Sequence, residues 1–328
     1  MRRSGSAWWN TWNAYDASFS YMLPVKRGEP GQLLSSMRFH TSLLLAILLA
    51  LATLQGCSLL RLGYGQLDHI AAWMADDYFD LDHQQKDEFH KRFARLHEWH
   101  RYEQLPDYAA FLRDIRGRVE KGLAREDVVW VAEGVRARYR TLARHGADDA
   151  ATLLLTITPQ QIEALKRQWD KDNRKFIRDH KLDGTPQERQ RARVKRALDQ
   201  VTDWVGSLTP EQEERIAALV TAAPSIQPLR HEDRRRRQRE FLALLEQRAN
   251  PAEFPARLRD WLIDWEKGRA PQYQRLQPEA WENRIAFLVA VDRMLMPHQR
   301  ATLTRRLQNY IDDFTRLAER RGAQTAVQ

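Results

Sequence analysis

The sequence predicts an all-α fold, an irregular multi-helix bundle set behind an N-terminal targeting segment. Three observations carry this. Apolar residues after Gly65 recur at spacings of three and four, alternation of β-branched residues is nearly absent, and Gly and Pro fall between the periodic segments. Helices are expected at 66–80, 83–101, 106–122, 125–145, 159–181, 186–206, 210–222, 226–249, 252–268, 278–295 and 297–320.

The periodicity places Trp73 in the first of these, and the second opens at LDHQQ, Leu81–Gln85. There Asp82 stands at the N-cap and Gln85 at the third helical position, a capping box in which each side chain satisfies a backbone N–H at the other end of the turn. Phe89 and Phe93 then continue the apolar face, with Trp99 near the end. The segments 106–122 and 125–145 follow from period alone, the latter carrying Trp130. Helix 159–181 repeats the signature as ITPQQ, with Ile157, Thr158 and Gln161, then Leu165 and Trp169 on one face. After 186–206, which carries Trp204, it returns at 210–222 as LTPEQ, with Leu208, Thr209 and Gln212, then Ile216 and Val220. Pro at the first helical position suits these starts, because no backbone donor is needed there.

Pro224 and Pro228 flank a loop ahead of the charged segment 226–249, marking a weak division of the body near 224. Helix 252–268 lines up Phe254, Leu258, Trp261, Leu262 and Trp265, a stripe expected in the core. Helix 278–295 holds Trp281. The last helix opens as LMPHQ, with Leu295 and Gln299, but Met296 replaces the cap, so this start should be weaker by about 1 kcal/mol. Leu303 and Leu307 continue its face. The irregular intervals between the motif copies argue against a solenoid and for a single decorated bundle. Most of the tryptophans should anchor the core.

Ahead of the bundle, LLLAILLALATLQGC runs from Leu43 to the only cysteine of the chain, Cys57. The apolar run is shorter than the roughly 20 residues a transmembrane helix needs, and it has the length of a signal-peptide core. Leu54, Gln55, Gly56 and Cys57 resemble the lipobox of bacterial lipoproteins. That resemblance implies cleavage before Cys57, acylation of its thiol and new amino group, and no cofactor other than this covalent lipid. Ser58 follows, where inner-membrane retention usually places Asp. The implied address is therefore the outer membrane, lipid-anchored and facing the periplasm. Residues 37–56 form the signal and 57–328 the mature body. Residues 1–36, Trp-rich and then broken by Pro and Gly, fit a start codon read too early or an extended n-region from Met22.

The LTxxQ-like starts are similar to the motif of periplasmic proteins of the Spy and CpxP type, small helical proteins that bind unfolded clients or restrain a stress sensor. Leu208–Gln212 matches that motif fully, and Ile157–Gln161 differs only in its first residue. YGQLDHIAAWMADDYFDL and LHEWHRYEQLPDYAAFL, with the lipobox, look like a proteobacterial lipoprotein family of unknown function. Together these resemblances imply a chaperone-like or stress-linked binder of envelope proteins. The competing expectation is a structural or assembly lipoprotein that contacts lipid, lipopolysaccharide or cell wall through a basic face.

The charge balance is positive, with 53 Lys and Arg against 44 Asp and Glu. The excess is spread among carboxylates, as on salt-bridged helix faces, and an envelope location argues against a nucleic-acid partner. No residue pattern identifies a small-molecule substrate. Catalysis has no visible machinery. The serines from Ser58 onward are Ser58, Ser207 and Ser225, none in a nucleophile motif. His83, His90 and His97 recur every seven residues with His100 beyond, too spread along a helix for one metal ion. They read as a polar stripe, with pH sensing the alternative. The acid pairs Asp76/Asp77, Asp148/Asp149 and Asp312/Asp313 diverge around their helices. RHEDRRRRQRE, Arg230–Glu240, should wrap charge around a solvated helix.

Overall fold

A computed structural model describes residues 59–319. Every regular element among them is helical. In chain order these are α1 (Leu59–Gly65), α2 (Leu67–Phe79), α3 (His83–Trp99), a π-helical turn (His100–Gln104), α4 (Leu105–Lys121), α5 (Arg125–Leu154), α6 (Pro159–His180), α7 (Pro186–Val205), α8 (Pro210–Ala222), α9 (Gln227–Glu246), a short 3₁₀ turn (Gln247–Ala249), α10 (Phe254–Ile263), α11 (Pro271–Met294) and α12 (Pro297–Ala318). No helix among the described residues is long and apolar enough to cross a membrane.

The largest core joins α2, α5, α6, α9 and α10 around Leu165, Trp169, Leu245, Phe254 and Leu258. It draws residues from both sides of position 224. A second layer packs α4 on α12 through Phe111, Ile115, Val119 and Leu307. A third gathers α7, α8 and α11 around Val201, Val205, Ile216 and Val291. α1 is held by Tyr64 against Leu105 and Leu317.

Three helix bounds differ from expectation, each for a tertiary reason. α5 runs through Gly146 to Leu154, because Ala147 and Ala151 are fully buried there and continue its packed face. A Cβ at Gly146 would meet Leu96 at 3.6 Å, an ordinary contact, so the glycine lies inside a packed helix and is no stop signal. α11 starts at Pro271 and carries Pro278 inside. A proline there removes one i−4 bond without ending a helix that other elements hold in place. α10 stops at Ile263, and Arg236 of α9 binds the Trp265 and Lys267 carbonyls that follow. The expected helices 83–101 and 106–122 are joined by the π turn. Pro106 has no N–H to give to the preceding turn, and the Leu105 N–H reaches back to the His100 carbonyl instead.

Asp292 is the main polar tie between α11 and its neighbours. It is buried, accepts the Leu123 N–H at 2.8 Å and meets Arg300 Nη1 at 2.8 Å. The same guanidinium donates to the Val119 carbonyl at the end of α4.

Candidate functional site

The four LTPxQ-like starts come together as two pairs. At the first, Gln85 Nε2 donates to Gln161 Oε1 at 3.1 Å and Gln161 Nε2 donates to Gln85 Oε1 at 2.5 Å. At the second, Gln212 and Gln299 exchange the same two bonds at 2.8 Å each. Every one of the four side chains is buried, Gln299 completely.

Each glutamine also closes its own helix start. Its Oε1 accepts the N-cap backbone N–H, from Asp82 at 3.1 Å, Thr158 at 2.9 Å, Thr209 at 3.0 Å and Met296 at 3.0 Å. Its second amide hydrogen goes to a backbone carbonyl ahead of the partner motif. Gln85 reaches Thr156, Gln161 reaches Asp80, Gln212 reaches Met294 and Gln299 reaches Ser207. In every case that carbonyl belongs to the residue five before the partner glutamine, so the two junctions share one geometry. Two donors and two acceptor positions are all used on each amide. Leu81 and Ile157 are buried beside the first pair, and Leu208 and Leu295 pack partly buried beside the second.

Asp82, Thr158 and Thr209 accept the N–H of their glutamines, at 2.8, 3.3 and 3.3 Å. Met296 offers no side-chain cap, and the Gln299 N–H turns to the Met296 carbonyl at 3.0 Å. Met296 is itself exposed. Met296→Thr should therefore stabilise the protein by about 1 kcal/mol, measured as a higher urea midpoint with an unchanged slope. No gain in midpoint would show that the Gln299 amide alone satisfies this start.

The other sequence candidates are dispersed. His83 is exposed, whereas His97 and His100 pack on Tyr64, whose hydroxyl lies 2.9 Å from His100 Nδ1. Burial, with His97 nearby, lowers the His100 pKa to about 4. No group of three or more His, Cys, Asp or Glu among the described residues is placed to hold a metal ion. The basic run does not simply face water. Arg234 is buried 3.7 Å from Asp172. Arg236 binds the Trp265 and Lys267 carbonyls at 2.9 and 2.6 Å, and Arg237 binds the Trp261 carbonyl at 2.6 Å while lying over the Trp261 ring. These contacts close the C-terminal end of α10, and its apolar stripe is core as expected, with Phe254, Leu258, Leu262 and Trp265 buried.

One tryptophan departs from the expectation of a core anchor. Trp73 is 51% exposed on α2, beside Ile70 at 41%, with Leu62 of α1 at 58%. Ile70 and Trp73, three residues apart, share one face of α2, and Leu62 is exposed on the preceding helix. Leu54, Gln55, Gly56 and Cys57 lie outside the described residues, immediately ahead of α1.

A family model described as a family of unknown function (DUF6279) matches residues 77–274, more than half of the chain. That span includes Gln85, Gln161 and Gln212 and ends before α12. No curated protein and no solved structure matches the chain. On the extent of the family match, this all-helical chain belongs to DUF6279, a family of unknown function.

Proposed function

We propose that this is an outer-membrane lipoprotein acting by binding and not by catalysis, held through an acylated Cys57 with α1 and α2 lying against the lipid surface. The observation that supports it is the exposure of Leu62, Ile70 and Trp73 on the two helices that follow the anchor position in sequence. Single exposed apolar side chains are ordinary, but several grouped at one end of a protein commonly mark a protein or membrane contact. Tryptophan in particular favours the membrane–water boundary. An anchor and an apolar helix face on the same end act as two membrane signals, and two hold where one chain is marginal.

This favours the structural or assembly reading over the chaperone-like one suggested by the LTxxQ resemblance. The four glutamines of that motif are buried and bonded to each other, so a client would need a different surface. The α10 stripe, the other apolar candidate, is inside the protein.

The test uses residues 58–328, which carry neither the apolar run Leu43–Leu54 nor the lipidated cysteine, so that only the helix face can hold the protein in flotation with phosphatidylglycerol-containing vesicles. Partial burial of the three side chains is worth roughly 3 kcal/mol in all. The triple variant L62S/I70S/W73S should then lose at least about tenfold in vesicle binding, and moderate salt should leave the parent bound. Equal binding by the variant would sink the proposal. Suppression of aggregation of a denatured model protein at near-stoichiometric ratio, unaffected by the triple variant, would restore the client-binding reading.

A further inference from the structure

Between α4, α5, α7, α8, α11 and α12 lies a cavity of about 410 Å³, within the range of about 300–1,000 Å³ typical of small-molecule sites. Its apolar wall includes Val131, Val201, Trp204, Leu219, Phe287 and Leu303. Its charged lining is one-sided. Arg193 and Arg196 enter from α7, Arg230 from α9 and Arg284 from α11. The acidic residue in the wall is Asp292, which is already held by Arg300 and the Leu123 N–H.

Arg193 is oriented by the Val220 and Ala223 carbonyls at 2.9 and 2.8 Å. Arg230 and Arg284 have no carboxylate within ion-pair distance among the described residues. The Arg230 Nε–H is shielded from solvent with no hydrogen-bond partner. Burial, reinforced by the neighbouring charge of Arg230, pulls the Arg284 pKa down to about 10. Buried cations ordinarily come with a counter-charge, because removing them from water is otherwise costly. Arg284, whose guanidinium is buried, and Arg230, half-buried, repel each other beside an apolar chamber with no acid within ion-pair distance among the described residues, an arrangement that favours an anion between them.

We propose that this cavity binds a small amphipathic anion, its carboxylate or phosphate head at Arg230 and Arg284 and its apolar part against Trp204 and Phe287. A planar guanidinium suits either head group, since each offers oxygens at the spacing of its N–H fork. The apolar wall then excludes free inorganic anions from competing well, because they leave the chamber unfilled.

Residues 58–328, the mature body without its anchor, are titrated calorimetrically with dodecanoate, dodecyl phosphate, dodecanol and inorganic phosphate, each below any micelle threshold. Both anionic amphiphiles should bind saturably at one per chain, dodecanol roughly tenfold or more weaker, and inorganic phosphate without saturation. Arg230→Met and Arg284→Met should each weaken dodecanoate by roughly tenfold, while Arg284→Lys, which keeps the charge but not the fork, should bind more tightly than Arg284→Met and shows that the site survives substitution. Ala197→Trp, which fills the chamber, should weaken both amphiphiles. Circular dichroism checks that each variant remains helical. Tighter binding of dodecyl phosphate than of dodecanoate would place the natural head group on a phospholipid, and the reverse order would place it on a free fatty acid. Dodecanol binding as tightly as dodecanoate, phosphate binding as tightly as either, or helical arginine variants with unchanged affinity would overturn the proposal.

Discussion

Replacing Gln212 with alanine should destabilise the protein by about 4 kcal/mol, since the loss leaves several buried groups without partners at once. The Thr209 N–H and the Met294 carbonyl lose the groups they bond, and Gln299 keeps an amide hydrogen and an oxygen facing empty space. The corresponding cost at Gln299, which is completely buried, should be similar. The double variant Q212A/Q299A should cost less than the sum by about 2 kcal/mol, because the second substitution removes groups the first had already orphaned. Urea unfolding of the three variants gives the cycle. A coupling near zero would show that the two amides act as independent caps. Gln212→Glu gives a sharper discrimination. A carboxylate has no hydrogen to offer Gln299 Oε1 or the Met294 carbonyl, so the folded state favours the protonated acid and raises its pKa above the usual value near 4.3. Relative to the parent, this variant should be most stable in acid and lose stability as pH rises through the raised folded value.

That experiment also bears on what the sequence made legible. The capping boxes are visible as Thr or Asp followed by Gln, and each forms where expected. Their pairing was not foreseen, although the residues carry a signal for it. A capping box works as well with Glu as with Gln. The plain box of this chain, Thr185 with Glu188 at the start of α7, does use Glu and is exposed. The four buried starts all use Gln, because only an amide can accept from its own N-cap while donating to a partner. The like separations of the paired copies, 76 residues between Gln85 and Gln161 and 87 between Gln212 and Gln299, were a second hint.

The helical class was legible because each amphipathic face keeps its period. Expectation and structure part at Gly146 and Pro278, where Gly and Pro read as punctuation but a helix packed on its neighbours tolerates both. The charge of Arg230–Glu240 was legible, but its use was not. Arg236 and Arg237 act on carbonyls of α10, and Arg230 turns toward arginines of α7 and α11. Such convergence depends on how distant helices cross, and no local spacing encodes it.

Lowering the pH from 7 to 5 should cost the fold about 3 kcal/mol through two histidines, neither of them at a protruding point of the expected stripe. Burial lowers His180 to about 3, with Arg196, Arg230 and Lys175 adding repulsion, and lowers His100 to about 4, with His97 adding to it. In the unfolded chain both should titrate near 6.5. The folded state therefore binds fewer protons than the unfolded state between those values, so stability is full above about pH 6.5 and declines as pH falls toward the folded values. Urea midpoints at the two pH values measure the decline, and H100Q and H180N should each remove about half of it. An equal decline in the double variant would assign the acid sensitivity to other groups. Both imidazoles should also show no titration above pH 5 by NMR in the folded protein, a readout independent of unfolding. His100 sits against Tyr64, which holds α1 and its exposed Leu62 on the body. His180 neighbours Arg196 and Arg230 at the cavity. Because both rings stay neutral in the folded protein above pH 5, the loss between pH 7 and 5 appears as a lower unfolding free energy and puts no new charge beside the proposed anion site of the folded protein.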